Sequence, residues 1–123
     1  MSDIVDLDVI RPKPKYIKLG EKKIDVSFIP CGITFDIDQL MQELATITIS
    51  EVQKGKEEAR KAFNLTVDMC VLFCSIKYPE LDRKWFMNNV DAVQIQKFAD
   101  TIKTTLQESY KIVEEYGETE GKN

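Results

Sequence analysis

Apolar and polar positions change period once along this chain, and the change divides it into two parts. Over residues 16–28 the spacing is two: Tyr16-Ile17-Lys18-Leu19 alternates, Gly20-Glu21-Lys22-Lys23 supplies turn residues, and Ile24-Asp25-Val26-Ser27-Phe28 alternates again. Ile24, Val26 and Phe28 share one face and Asp25 and Ser27 the other. This predicts a β-hairpin with one wet face. A lone two-stranded hairpin is marginal in water, so this one must pack on helices or on another chain's sheet. Pro30 and Gly32 end it. From residue 35 to 116 the spacing becomes helical.

Three helix starts are written in capping residues. Asp36 reads as an N-cap with Gln39 closing a capping box and Phe35 stapling onto Leu40. Asp82 reads as a cap with Leu81 stapling onto Phe86. Asp91 and Gln94 form a second box, with Val90 meeting Ile95. The first helix is predicted from Ile37 to about Gln53, with Leu40, Met41, Leu44, Ile47 and Val52 inward, although the β-branched run Thr46-Ile47-Thr48-Ile49 weakens it. After a break at Gly55, a second helix covers about 56–77 and is apolar all round from Cys70 to Cys74, which makes it the central element. Pro79 stops it. A short helix covers 82 to about 88. The last runs from 92 to about 115, with Ile95, Phe98, Ala99, Ile102, Leu106, Tyr110 and Val113 on one face and Gly117 ending it. The predicted class is α+β, mostly α-helical: an N-terminal β-hairpin followed by a bundle of about four helices. The predicted core is Leu40, Leu44, Phe63, Val67, Cys70, Val71, Cys74, Phe98, Ile102 and Leu106. One domain is expected over 16–116 (hairpin 16–28, helical body 35–116), between a flexible arm, 1–15, and a disordered acidic tail, 117–123.

Composition narrows the function. The chain has 123 residues, 43% hydrophobic and 31% charged, a globular balance that is neither disordered nor membrane-like. Net charge is −4, so no overall field attracts nucleic acid. The charge is uneven. Arg11, Lys13, Lys15, Lys18, Lys22 and Lys23 face one acid, Glu21, between residues 11 and 23, and Glu114, Glu115, Glu118 and Glu120 gather near the other end. Residues 1–10 do not read as a signal peptide, and the longest apolar run, 69–74, is far below the roughly 20 residues that cross a bilayer. A soluble intracellular chain with three free cysteines is expected.

With no histidine in the sequence, Ser-His-Asp and Cys-His arrangements and imidazole metal sites are excluded. Cys70 and Cys74 have ligand spacing but no further Cys or His beside them, and apolar surroundings disfavour a thiolate. Gly117–Lys122 is one residue short of a phosphate-binding loop, lacks its Ser/Thr and follows no strand. The carboxylate pairs Asp36/Asp38, Glu57/Glu58 and Glu114/Glu115 read as caps and solvated faces. No catalytic residue, cofactor site or metal site is predicted, and no small-molecule substrate. Contact, not chemistry, is the expected mode of action. Trp85 and Phe86 are neighbours on a short helix and cannot both point fully inward. Either one is core and the other closes the helix junction, or they form an apolar edge that holds a partner helix. Trp85, Phe86 and the hairpin aromatics Tyr16 and Phe28 are the candidate partner-binding residues.

The stretch Tyr78-Pro79-Glu80-Leu81-Asp82-Arg83-Lys84-Trp85-Phe86, then Asn89-Val90-Asp91 and the helix from Gln94 through Leu106, resembles the tail assembly chaperones of long-tailed bacteriophages and prophages. With the hairpin before it, the resemblance spans roughly 16–110. It implies a non-catalytic protein of the bacterial host cytoplasm, absent from the mature virion. Such a chaperone coats the long apolar helical tape-measure protein until tail-tube subunits polymerise around it, with protein partners only and a possible homo-oligomer. It also implies a longer product made by programmed frameshifting; Gly121-Lys122-Asn123 can be encoded by a slippery heptamer. Two other readings stand beside it. One is a structural subunit or adaptor of a phage particle or other assembly, donating hairpin strands to a shared sheet. The other is a small nucleic-acid-binding regulator using residues 11–23, against which the acidic net charge argues.

Overall fold

A computed structural model describes residues 4–47 and 55–121, with side chains described as far as Lys111. The class is the expected one: a two-stranded antiparallel hairpin near the N-terminus, then four helices. Strand β1 is Tyr16–Leu19 and β2 is Lys22–Asp25, paired Tyr16↔Asp25, Ile17↔Ile24, Lys18↔Lys23 and Leu19↔Lys22. The turn is shorter than the sequence pattern suggested. Gly20 and Glu21 alone form it, both with positive φ (52° and 67°), the geometry whose twist matches a two-residue hairpin. Leu19 and Ile24 turn inward, whereas Tyr16, Lys18 and Lys23 face out.

The helices are α1 (Thr34–Ala45), α2 (Lys56–Cys74), α3 (Arg83–Asn89) and α4 (Ala92–Gly121). Helix α2 is central: α1 and α4 pack along it and α3 packs against it, with Arg83 reaching Asn64 and Asp68. Its inward side chains Val67, Cys70, Phe73 and Cys74 meet Ile95, Phe98, Ile102 and Leu106 of α4 in one core. The hairpin adds Leu19, Ile24 and Val26 to it. Phe98 is the hub, edge-on to Phe73 (5.7 Å) and stacked with Phe86 (6.1 Å). These aromatic contacts fix ring orientation as well as burying area.

Two of the three predicted starts have the expected bonds. Asp82 accepts from the Trp85 N–H at 2.9 Å. Asp91 accepts from the Gln94 N–H at 2.8 Å, while the Gln94 side chain accepts from the Asp91 N–H at 2.9 Å. The first start is different. A 3-10 turn, Cys31–Ile33, runs straight into α1, so Asp36 lies within the first turn and caps nothing, and Phe35 is 88% exposed instead of stapled onto Leu40. Ile33 and Ile37 make that junction's inward contacts. Helix α1 ends at Ala45, and Thr46-Ile47 turn out of it; residues 48–53 of the expected first helix, with Val52, lie outside the described residues. Helix α2 ends at Cys74, three residues early. Helix α4 continues past Gly117, where a glycine costs about 1 kcal/mol relative to alanine without forbidding a helix.

Six predicted core residues are buried: Val67, Cys70, Cys74, Phe98, Ile102 and Leu106. Leu40, Leu44 and Val71 pack at the margin, and Phe63 lies outside, 37% exposed. Tyr110, expected inward, is exposed at the far end of the α4 stripe. Residues 7–10 of the arm form a 3-10 turn capped by Asp6, with none of its side chains buried.

Candidate functional site

The four aromatic residues singled out from the sequence occupy four different settings. Phe86 is 1% exposed and belongs to the core, so it offers nothing to a partner. Its neighbour Trp85 is half-buried, edge-on to Phe86 at 5.0 Å, and lies under the hairpin turn. A Cβ on Gly20 would come within 2.9 Å of the Trp85 ring. Of the two alternatives for this pair, one core and the other closing a junction is what the fold contains. The junction Trp85 closes is between α3 and the hairpin. Phe28 is half-buried beneath two cations, the Arg11 guanidinium (4.0 Å from the ring centroid) and the Lys77 ammonium (3.6 Å). Only Tyr16 is substantially exposed, with the Lys23 ammonium 4.2 Å from its ring.

Lys77 also pairs with Asp25 at 3.2 Å, and Asp25 accepts from the Ser27 hydroxyl (2.6 Å) and the Ser27 N–H (2.9 Å). Partial burial of Asp25 pushes its pKa up, but the Ser27 bonds and Lys77 outweigh it and hold the carboxyl below the ordinary carboxylate value. The hairpin is tied down at two further points. The Asp25 N–H donates to the Tyr78 hydroxyl (3.0 Å), and the Thr105 hydroxyl donates to the Val26 carbonyl (2.9 Å). The Tyr78 bond occupies the outer side of β2, and the Thr105 bond lies just past its end. Among the described residues no side chain does the same for the outer side of β1.

The chemistry of the thiols is muted. Burial raises both Cys70 and Cys74, aided by Cys74 beside the first and Glu80 near the second, which is pushed up to about 12. The Cys70 thiol donates to the Ile95 carbonyl. Among the described residues no group of three His, Cys, Asp or Glu side chains could hold a metal ion, and no helix is long and apolar enough to cross a membrane.

The feature that sequence reasoning missed is a pair of grooves, one on each side of α1. The larger, about 440 Å³, lies between α1, α2 and α4. Met41, Leu44, Ala45, Met69 and Ala99 give it apolar walls, and Asp38, Asp100 and Lys103 stand at its polar rim. The smaller, about 330 Å³, lies between Leu40 and Leu72, with Asp36 and Glu43 beside it. Every charged side chain of α1 is acidic. The signal available in the sequence was the spacing of Met41, Leu44 and Ala45, all assigned to the core or passed over. Leu44 and Met41 are half-buried because their outer sides line the groove.

Comparison of the chain with protein-family models, with curated proteins and with solved structures returns no match.

Proposed function

We propose that this chain is a non-catalytic tail assembly chaperone of a long-tailed bacteriophage or prophage, which binds the apolar helical tape-measure protein and keeps it from aggregating while tail-tube subunits assemble. The observation that carries this reading is the apolar groove between α1, α2 and α4. A long helix with an uncovered apolar stripe aggregates unless a partner buries the stripe, and a groove with flexible methionines and small alanines accepts the ridges of a helix. The acidic rim specifies the partner further. A helix seated there gains from basic residues flanking its stripe, through Asp38 and Asp100. The sequence around 78–91 that resembles this family supports the same reading. In the structure residues 78–91 build the α2–α3–α4 junction, and the rest of the resembling stretch, 94–106, contributes Gln96, Ala99, Asp100 and Lys103 to the groove lining.

The test is co-purification. A tape-measure segment with an apolar stripe and basic flanks, co-expressed with the tagged chain, should be retained. Ala45→Lys with Ala62→Lys, two groove positions that are not fully buried, should lower retention at least tenfold with the fold intact. Equal retention by the variant would remove the groove from the account.

The adaptor reading is favoured by one observation: the sheet has two strands, and the outer side of β1 carries no side-chain cover among the described residues. Such a subunit would remain in finished particles at fixed stoichiometry, whereas a chaperone leaves before completion. Quantifying the protein in purified virions separates the two.

A further inference from the structure

We propose that the open edge of β1 docks an extended segment of a partner protein in which acidic and apolar residues alternate, added to the hairpin as a third strand. The register fixes which backbone groups are on offer. The two-residue turn makes Leu19–Lys22 a hydrogen-bonded pair, and Ile17–Ile24 is the next. The Val26 N–H, which donates to the Lys15 carbonyl at 2.8 Å, continues the alternation. Tyr16 and Lys18 lie between these pairs, so their N–H and C=O groups point away from β2. On β2 the corresponding outward N–H, that of Asp25, is taken by the Tyr78 hydroxyl. Among the described residues no hydrogen bond reaches the Tyr16 or Lys18 backbone. An edge left in that state is a template for another strand.

An added strand meets a different surface on each side. Beside Tyr16 and Lys18 its side chains fall on the exposed, cationic face. Lys18 stands directly opposite Lys23, at a pair without backbone hydrogen bonds, where side chains come closest. Like charges there are destabilising. The ion pairs among the described residues are Lys77–Asp25 and Arg83–Asp68, so neither lysine is neutralised. An acid placed beside Lys18 relieves that repulsion. Beside Ile17 the added side chain falls on the opposite face, where Ile17 packs half-buried against the core, and an apolar group fits. The alternation of the ligand follows from the pleat. A depression of about 340 Å³ runs along β1, with Tyr16, Ile17, Lys18, Glu21 and Lys23 around it. Nucleic acid fits it less well. Lys23 already covers the Tyr16 ring at 4.2 Å, Glu21 repels phosphate, and a phosphodiester chain offers no donor to the two free carbonyls. The proposal names the partner chemistry of the edge that favours the adaptor reading, and a chaperone can use the same edge, since it is separate from the groove beside α1.

Fluorescence polarisation of the full chain with a short labelled peptide of alternating valine and glutamate tests it, at about 50 mM salt. The peptide should bind about tenfold more tightly than one of the same composition with its valines and glutamates in separate blocks. Lys18→Glu should weaken binding about tenfold and yet raise the urea midpoint of the free chain, because Lys23 then faces an acid. Tyr16→Pro removes an outward N–H and no ladder bond, so it should weaken binding with the fold retained, whereas Tyr16→Phe should bind as the wild type does. The groove variant, Ala45→Lys with Ala62→Lys, should also bind the peptide normally, which separates this site from the groove. Equal affinity for the two peptides overturns the proposal, as does a Lys18→Glu chain that binds like the wild type, a groove variant that loses the peptide, or an oligothymidylate that binds more tightly than the alternating peptide.

Discussion

Gly20 holds two constraints in one position. Its φ of 52° belongs to the left-handed region that side chains disfavour, and the space its Cβ would need is filled by the Trp85 ring. Gly20→Ala should therefore destabilise the fold by about 1–3 kcal/mol, with loss of the near-ultraviolet signal of the single tryptophan in chemical denaturation; an unchanged midpoint would mean that the turn and Trp85 are not coupled. Asp25 is constrained in a different way. Its carboxyl is held ionised below the usual range by Ser27 and Lys77, so it stabilises the fold at every pH above its unfolded value and loses that contribution as pH falls through the lower folded value. Asp25→Asn should cost about 1–3 kcal/mol at neutral pH. The gap between variant and wild type should stay constant down to about pH 4 and close only below the ordinary value of 3.8. A gap that widened in acid would contradict the assignment.

Among the elements, the capping grammar was legible where it closed on itself. Asp91 and Gln94 each take the other's backbone N–H, so their spacing announces the start of α4 without help from tertiary structure. Replacing either with alanine should lower stability by about 1 kcal/mol, read from the urea midpoint at unchanged slope; no loss for Gln94→Ala would show that the box is idle. The same grammar failed at Asp36, because the preceding turn Cys31–Ile33 already carries the backbone into α1 and leaves the aspartate within its first turn. Side-chain periodicity found the central face of α2 and the stripe of α4 as far as Leu106, since those faces are covered on one side only. It put Phe63 inside, since a periodic stripe does not reveal where the opposing helix ends. The groove was not legible at all. Met41, Leu44 and Ala45 have the same spacing whether a neighbour covers them fully or leaves a channel, and the difference lies in how α1 sits on α2 and α4. Nor could spacing show Thr105 and Tyr78 reaching the hairpin, at sequence separations of 79 and 53.

At the scale of the whole molecule, three helices flank an apolar groove with Asp38, Asp100 and Lys103 at its rim, and a hairpin carrying a basic face is bolted to their side. The scaffold is closed in its polar accounting: among the described residues no buried side-chain nitrogen or oxygen lacks a partner. Two surfaces with something to gain from a partner are the groove beside α1 and the hairpin face. The most direct measurement of the central claim is the soluble fraction of a tape-measure segment of apolar-striped helix, expressed with and without this chain at matched levels. The account predicts that the segment moves from the pellet to the supernatant when the chain is present, and returns to the pellet with the Ala45→Lys, Ala62→Lys variant. A segment that stays as insoluble with the wild-type chain as without it would contradict the account.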